Sequence, residues 1–301
     1  MMRNVAGANG ASFYIGAYSS GTQTVLDYQT FSTSGGFSAV QAIAVGNSDV
    51  GTGGNDYTAQ RQGTSLTLGV GDSRIQSLAY ANGYLWGVSE VKPSGATTPQ
   101  ILWFKLNVSN PAAPVLVLQG TISGAAIGTG VAVFNPSIAV DQNGDVLINF
   151  SASGPNMYPS DYYTVLTANA SAVSAPALYQ ASNTYFNSGS LNDQRWGTYS
   201  TAVADPNNAN GFWLSNEYVS TTVTGPGGSP GWWNTVTAQV LVGGGAPVDQ
   251  DTLPEVPALT ISNTSPTVQA GGSVALGITA TPIGSDDQLS VTISGVPATS
   301  R

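Results

Sequence analysis

Four times along this chain an apolar run ends in a turn containing Asn-Gly and is followed by a second, often aromatic, apolar run. The copies begin at residues 5, 78, 138 and 201: Val5 to Gly10 before SFYIGAY, Leu78 to Gly83 before YLWGVSE, Ile138 to Gly144 before DVLINFS, and Thr201 to Asp205, with a longer turn through Asn210-Gly211, before FWLSNEY. Asn-Gly between apolar runs is the strongest short-range hairpin signal, because both turn residues must accept positive φ. Further strand-like runs follow, at Ile101 to Leu106, Val115 to Leu118, Tyr162 to Leu166, Ala177 to Tyr179 and Val236 to Val242. Helical periodicity is absent. A four-stranded antiparallel unit recurring at this spacing predicts an all-β chain built of β-propeller blades over 1–243, with a β-sandwich or β-helix as the alternatives. Four blades is the low end for a closed ring, so the expectation is either a small propeller or a piece of a larger one. The stretch 46–73, rich in Gly, Asn and Thr, reads as an inserted loop with one strand, Ser65 to Val70.

Beyond the blades, residues 244–258 (GGAPVDQDTLPEVPA) read as a linker. Residues 259–301 alternate apolar and polar in three or four short runs, about half an immunoglobulin-like domain. Such a half-domain would leave strand edges open to pairing with another chain.

Composition removes several chemistries. Charged residues are only 8% of the chain, against about 25% in an ordinary soluble domain, and neutral polar residues fill the gap. That surface fits an extracellular or cell-surface protein. Seven basic against sixteen acidic residues give a net charge of −9, so no basic stripe exists to hold nucleic acid, and divalent cations are the better-matched partners. There is no cysteine and no histidine. Ser-His-Asp and Cys-His nucleophilic systems are therefore excluded, as are histidine-ligated zinc sites. Any hydrolysis would run on Asp, Glu, Tyr, Lys or an oxygen-ligated metal. No run of 18 apolar residues suggests a membrane span, and the first residues, MMRNVAGANGASFYIG, lack the pattern of a signal peptide.

The segment Arg195-Trp196-Gly197-Thr198-Tyr199-Ser200, followed by VADPNNANGFWLSNEY, resembles the RWGDYS-type blade of large secreted bacterial propeller proteins. Gly71-Asp72-Ser73-Arg74 before LAYANGYLW, and PSIAVDQNGDVLINFSAS, look like the preceding blades of the same family, so the likeness spans roughly 57–242. Thr198 stands where that family usually has Asp, which removes any role of that Asp as metal ligand or acid. SVALGITATPIGSDDQLSVTISGVP is similar to tandem repeats of adhesin-like, calcium-binding secreted proteins. Neither resemblance names a reaction.

Candidate sites follow from the blade register. Arg3, Arg74 and Arg195 each precede a blade's first strand, and three guanidinium groups lining a channel could grip a carboxylate, as in sialidase propellers. The same residues fit Asp–Arg ties between blades, with Asp72 and Asp193 as partners. Tyr199, Glu217 and Asp193 are the candidate catalytic groups, a tyrosine beside a carboxylate being an accepted glycosidase nucleophile. Asp141, Asn143 and Asp145 crowd oxygen ligands into one turn and, with Asn135, are candidate calcium ligands, although the order departs from an EF-hand loop and a solvated hairpin turn is the favoured reading. Asp286-Asp287 is a second such pair. Trp232-Trp233, in SPGWWNTV, could stack on a sugar or anchor a loop. Two functions remain open: a scaffold module binding a carbohydrate, another small ligand or a surface, and a calcium-dependent hydrolase of lactonase-like or sialidase-like type, with Asn135, Asp193 and Glu217 about its metal.

Overall fold

A computed structural model describes residues 3–6, 12–20, 23–46, 57–187, 195–197, 200–225, 230–243, 258–261 and 278–281. The chain divides into two compact units, Met1–Val248 and Asp249–Arg301. Within the first, the sheets follow one another along the chain as antiparallel meanders. The first comprises β1 (Arg3–Ala6), β2 (Ser12–Ser19), β3 (Thr24–Ser32), β4 (Gly36–Phe37) and β5 (Gln41–Val45), with β4 and β5 both pairing with β3. A small pair, β6 (Tyr57–Ala59) and β7 (Leu68–Gly71), precedes the second meander, β8 (Ile75–Ala81), β9 (Tyr84–Val91), β10 (Gln100–Asn107) and β11 (Val115–Ile122). The third is β12 (Ala132–Val140), β13 (Val146–Gly154), β14 (Met157–Leu166) and β15 (Ala177–Gln180). The fourth has three described strands, β16 (Thr201–Ala204), β17 (Gly211–Thr224) and β18 (Pro230–Leu241). The first strands of the meanders pack side by side, β1 against β8, β8 against β12 and β12 against β16. Sheets radiating from a row of inner strands are propeller blades.

The apolar runs are long because each inner blade is covered on both faces. Leu85 and Val91 of β9 join Phe13, Ile15, Leu26 and Tyr28 in the layer between the first two blades. From the same strand, Trp86 and Val88 turn to the third blade and meet Ile148 and Phe150. Leu147 then faces the fourth blade with Phe212 and Leu214. Each such fully buried side chain contributes about 1.5–3 kcal/mol relative to exposure.

The four Asn-Gly signals close in different ways. Asn82 (φ 49°) and Gly83 (φ 81°) form the expected two-residue turn between Ala81 and Tyr84. In the third blade only Gly144 is left-handed (φ 85°), and Asp141 closes a longer turn by donating its N–H to the Asp145 carbonyl at 2.9 Å. The fourth turn spans Asp205 to Gly211, whose backbones bond at 2.8 Å. The first turn lies outside the described residues, although β1 and β2 pair on either side of it.

One expectation needs correction. The described part of the 46–73 insertion, from Tyr57 on, carries two paired strands rather than one, and their side chains are core. Tyr57, Ala59, Leu68 and Val70 are buried against Ala132, Phe134, Phe186, Trp196 and Val219. Arg61, also buried, ties it down through the carbonyls of Leu66 and Phe186. Apolar side chains spaced two apart, with a cation to cap carbonyls, outweigh the loop-like composition around them. In the second unit, β19 (Ala258–Ile261) and β20 (Ile278–Thr281) form an antiparallel pair. The rest of the immunoglobulin-like expectation, Asp286-Asp287 included, lies outside the described residues.

A Cβ at Gly87 would run into the Phe104 ring and lie 2.9 Å from Leu78 Cδ2, inside the layer between the first two blades. Gly87→Ala should cost about 1–3 kcal/mol in urea unfolding. Gly95→Ala, where a Cβ meets nothing within 4 Å, should lose only the backbone strain of its positive φ, about 1 kcal/mol.

A carboxylate cluster on the loop face of the blades

The hairpins 82–83, 141–145 and 205–211 lie at one end of the inner strands. The opposite end, the loop face, is where the inner strands irregularly begin. β8 bulges between Ile75 and Ser77, and β12 bulges between Phe134 and Ser137. Bulges re-aim a side chain that a regular ladder would send elsewhere. Here they deliver Gln76 and Asn135 to one carboxylate of β9. Glu90 Oε1 accepts from Gln76 Nε2 at 2.9 Å and from the Asn135 backbone N–H at 2.7 Å. Asn135 is itself left-handed (φ 50°), an uncommon conformation for a residue bearing a Cβ.

From Asn135 the contacts continue into the fourth blade. Its Nδ2 donates to the Gly197 carbonyl, and the Gly197 N–H donates to Glu217 Oε1. A Cβ on Gly197 would occupy the Glu217 carboxylate, so glycine is what lets the two approach. Ser200 Oγ donates to the Asn135 carbonyl at 2.7 Å. Glu217 stands where β17 has run past β16, whose pairing begins at Thr201 opposite Ser215. Behind it, Asn216 Nδ2 and Trp196 Nε1 both donate to Ser151 Oγ, at 3.1 and 3.2 Å, and Ser151 donates to Asp161 Oδ1 at 3.3 Å.

Burial sets the ionisation of these acids. It pushes Glu90 up to about 8, against the pull of the Asn135 and Gln76 hydrogen bonds and with the help of the Asp72 charge. It raises Glu217 to about 7, the Gly197 N–H pulling the other way. Asp161, enclosed and near Glu217, is held well above the carboxylate range by the same desolvation. Asp72 goes down: burial opposes its charge, but the hydrogen bonds and charge of Arg74 win. Neighbouring carboxyls driven apart in this way can hold a proton and a negative charge side by side at neutral pH.

The sequence-derived candidates are distributed as follows. Glu217 and Asn135 belong to this cluster. Arg74 is at its rim, half exposed and paired with Asp72 two residues earlier, so that tie is local to one loop rather than between blades. Arg195 is exposed and forms a parallel backbone bridge with Gly69 of β7. The Arg3 side chain, Asp193 and Tyr199 lie outside the described residues. Trp232 and Trp233 sit on strand β18, not in a loop, because SPGWWNTV continues the β17 pairing. Strand alternation sends them to opposite faces. Trp232 packs on Phe186, which meets Trp196 edge-on, while Trp233 is 44% exposed.

Asp141, Asn143 and Asp145 are at the other end of the strands. Asp141 Oδ1 accepts the N–H groups of Asn143 and Asp145, both at 2.9 Å. Asn143 Nδ2 donates to the Ala209 carbonyl at 3.1 Å, tying this hairpin to the next blade's. Asp145 Oδ1 accepts from Ala168 N–H at 2.7 Å. A cavity of about 340 Å³ opens there, lined in part by Asn82, Asp141 and Asp205. Among the described residues no group of three or more acidic side chains is placed to hold a metal.

Glu90, Asp161 and Gln76 were not singled out from the sequence. The available signal was an acid inside an otherwise apolar strand, YLWGVSEV and MYPSDYYTVL, in a chain with only sixteen acids. Strand patterns that are buried on both faces hide it, since no polar stripe marks which side such a residue takes.

No protein-family model matches the chain, and no curated protein matches it. Solved structures similar in strand arrangement include the GH93 α-L-arabinofuranosidase of Fusarium graminearum in complex with arabinobiose, at 13% identity and a TM-score of 0.41. The match covers 79% of this chain and 61% of that one. Two others are the GH43 endo-arabinanase from Bacillus licheniformis (13% identity, TM-score 0.37, 84% and 75% covered) and the catalytic domain of Coprinopsis cinerea GH62 α-L-arabinofuranosidase (12%, 0.35, 79% and 63%). The chain thus spans less than two thirds of the first of these.

Because the native Glu217 keeps its proton to about pH 7, whereas an unfolded glutamate releases it near 4.5, the unfolded state binds fewer protons in that window. Stability from this group therefore falls as pH rises from 4.5 to 7. Glu217→Gln, which keeps an acceptor for Gly197, should gain melting temperature relative to wild type as pH rises from 5 to 8 and show the smallest difference at pH 5.

Proposed function

We propose that the loop face of this propeller recognises a carbohydrate, in an extracellular or cell-surface setting. The observation that carries this reading is that three successive blades contribute to one chain of hydrogen bonds at this face, from Glu90 of the second to the Asn135 N–H of the third, and from Asn135 Nδ2 through Gly197 to Glu217 of the fourth. Convergent polar groups with displaced ionisation, at one mouth of a rigid scaffold, are what a small polar ligand requires. The half-exposed Arg74 and the exposed Arg195 add donors at the rim. A neutral polar surface with few charges supports the extracellular setting.

A second reading, a glycoside-cleaving enzyme, is favoured by Glu217 alone. A carboxyl pushed to about 7 is suited to giving a proton to a leaving oxygen at neutral pH. In that reading Asp72, kept ionised by Arg74, supplies the negative charge of the loop face.

Glycan-array binding followed by calorimetry tests the first reading. Arg74→Ala and Glu217→Gln should each weaken the best ligand by about tenfold, roughly 1.4 kcal/mol. Failure of every glycan to bind defeats the proposal. Turnover of any aryl glycoside that disappears in Glu217→Gln, with the variant still binding glycan, would establish the second reading in place of a pure binding module.

A further inference from the structure

The four blades follow one another as a series whose two ends do not meet. Each blade's first strand packs on the next, yet among the described residues no strand of the first sheet packs on the fourth in the way that neighbours do. The first and fourth blades therefore each keep a face that no other blade covers.

Strand alternation assigns the side chains of these two faces. In the first blade Phe13 and Ile15 turn to the second, so Tyr14 and Tyr18 turn the other way. Phe31 and Phe37 share that outward side, and the Phe37 ring is centred 5.0 Å from both Tyr14 and Phe31. In the fourth blade Phe212 and Leu214 turn to the third, so Trp213 and its cross-strand partner Val203 face outward. Tyr18 is 45% exposed, Phe37 57%, Val203 49% and Trp213 40%. Apolar side chains gathered on an open sheet face in this way mark an interaction surface.

We propose that the two open faces are halves of one interface, through which two copies of this chain close into a ring of eight blades about a two-fold axis. The polarity of the contacts selects a second copy as the occupant. Within the chain, each blade turns its trailing face to the leading face of the next. The open face of the fourth blade is a trailing one and that of the first a leading one. The first blade of a partner copy thus continues the series on the fourth, and the partner's fourth blade ends on the first. One two-fold operation makes both contacts together, so the assembly closes instead of growing into a filament. Eight blades is within the range that closed rings hold. A sheet face three or four strands wide and about eight residues long presents about 400–500 Å². The four faces of the two contacts would then remove about 1,600–2,000 Å² from water, the size of a stable interface. This inference stands whether or not the loop face binds a sugar.

Sedimentation equilibrium on the full chain tests it. Wild type should run at twice the mass of one chain. Phe37→Glu on one open face and Val203→Glu on the other should each weaken the dimer about tenfold or more, because each buries an unpaired charge in the contact. Val117→Glu, equally exposed but on the outer edge strand of the second blade, should leave the dimer unchanged. A monomeric wild type overturns the proposal, as does growth to ever larger species with concentration. A dimer that either end-face variant leaves intact, or that Val117→Glu disrupts, overturns it too. If a variant does not fold, a crystal structure of the wild type decides the matter. A closed ring of eight blades upholds the proposal, and copies that leave Phe37 and Val203 in solvent overturn it.

Discussion

The central strands of the second and third blades have no wet face. Each is pressed between neighbours, so every side chain of β9 and β13 must be answered by protein on one side or the other. Apolar residues meet this demand by interdigitating. Polar ones can meet it only by finding partners across the inter-blade layer, and those partners lock the angular position of one blade against the next. Asn149 shows the rule in its plainest form. Its Nδ2 donates to the Thr201 and Ser215 carbonyls of the fourth blade at 3.0 and 3.2 Å, and its Oδ1 accepts from Tyr179 at 2.8 Å.

On the loop face the same demand is met less completely. Glu90, Asp161 and Glu217 are acids in dry surroundings, and the bonds they accept offset burial without cancelling it. Desolvated carboxyls of this kind destabilise a fold unless paired, and they recur where binding or proton transfer uses them. The hairpin end presents the contrast. Asp205 accepts from the Asn207 N–H at 2.8 Å and from Gln239 and Trp213 at 2.7 and 3.1 Å, which together outweigh desolvation and hold its carboxyl below the usual range. At that end Asp205 is thus fully answered, whereas Asp141 beside it is raised by burial and leaves Oδ2 without a partner.

Much of this architecture was legible from the residues. The Asn82-Gly83 signal names its turn type, and the apolar runs around residues 85, 147 and 214 fall on central strands. The legible part is local, since hairpins are decided within ten residues. The cluster was only half legible because it is assembled by register. Gln76 and Asn135 become neighbours of Glu90 through two bulges, and nothing in a linear string marks which strand will slip by a residue. The insertion was misjudged for a related reason: glycine- and asparagine-rich flanks concealed Tyr57, Leu68 and Val70, which matter through partners more than sixty residues away. Tyr199 and Asp193 fall outside the described residues, and Trp232-Trp233 looked like a loop only because Pro and Gly precede them.

That insertion also governs the order in which the molecule can be assembled. The bridge from Gly69 to Arg195, the Trp196 N–H on the Gly69 carbonyl at 2.9 Å, and the grip of Arg61 on the Phe186 carbonyl all join chain segments on either side of the second and third blades. Each closes a loop that contains both blades, so it carries the closure entropy of all the chain between unless the blades have already drawn that chain in. The meanders can zip from their hairpins quickly, whereas this long-range clasp comes late and slows the final step, as non-local β contacts generally do. A nascent chain that has just produced its third blade can therefore seat Leu68 and Val70 against Ala132 and Phe134, but still lacks Phe186, Trp196 and Val219, which complete their cover.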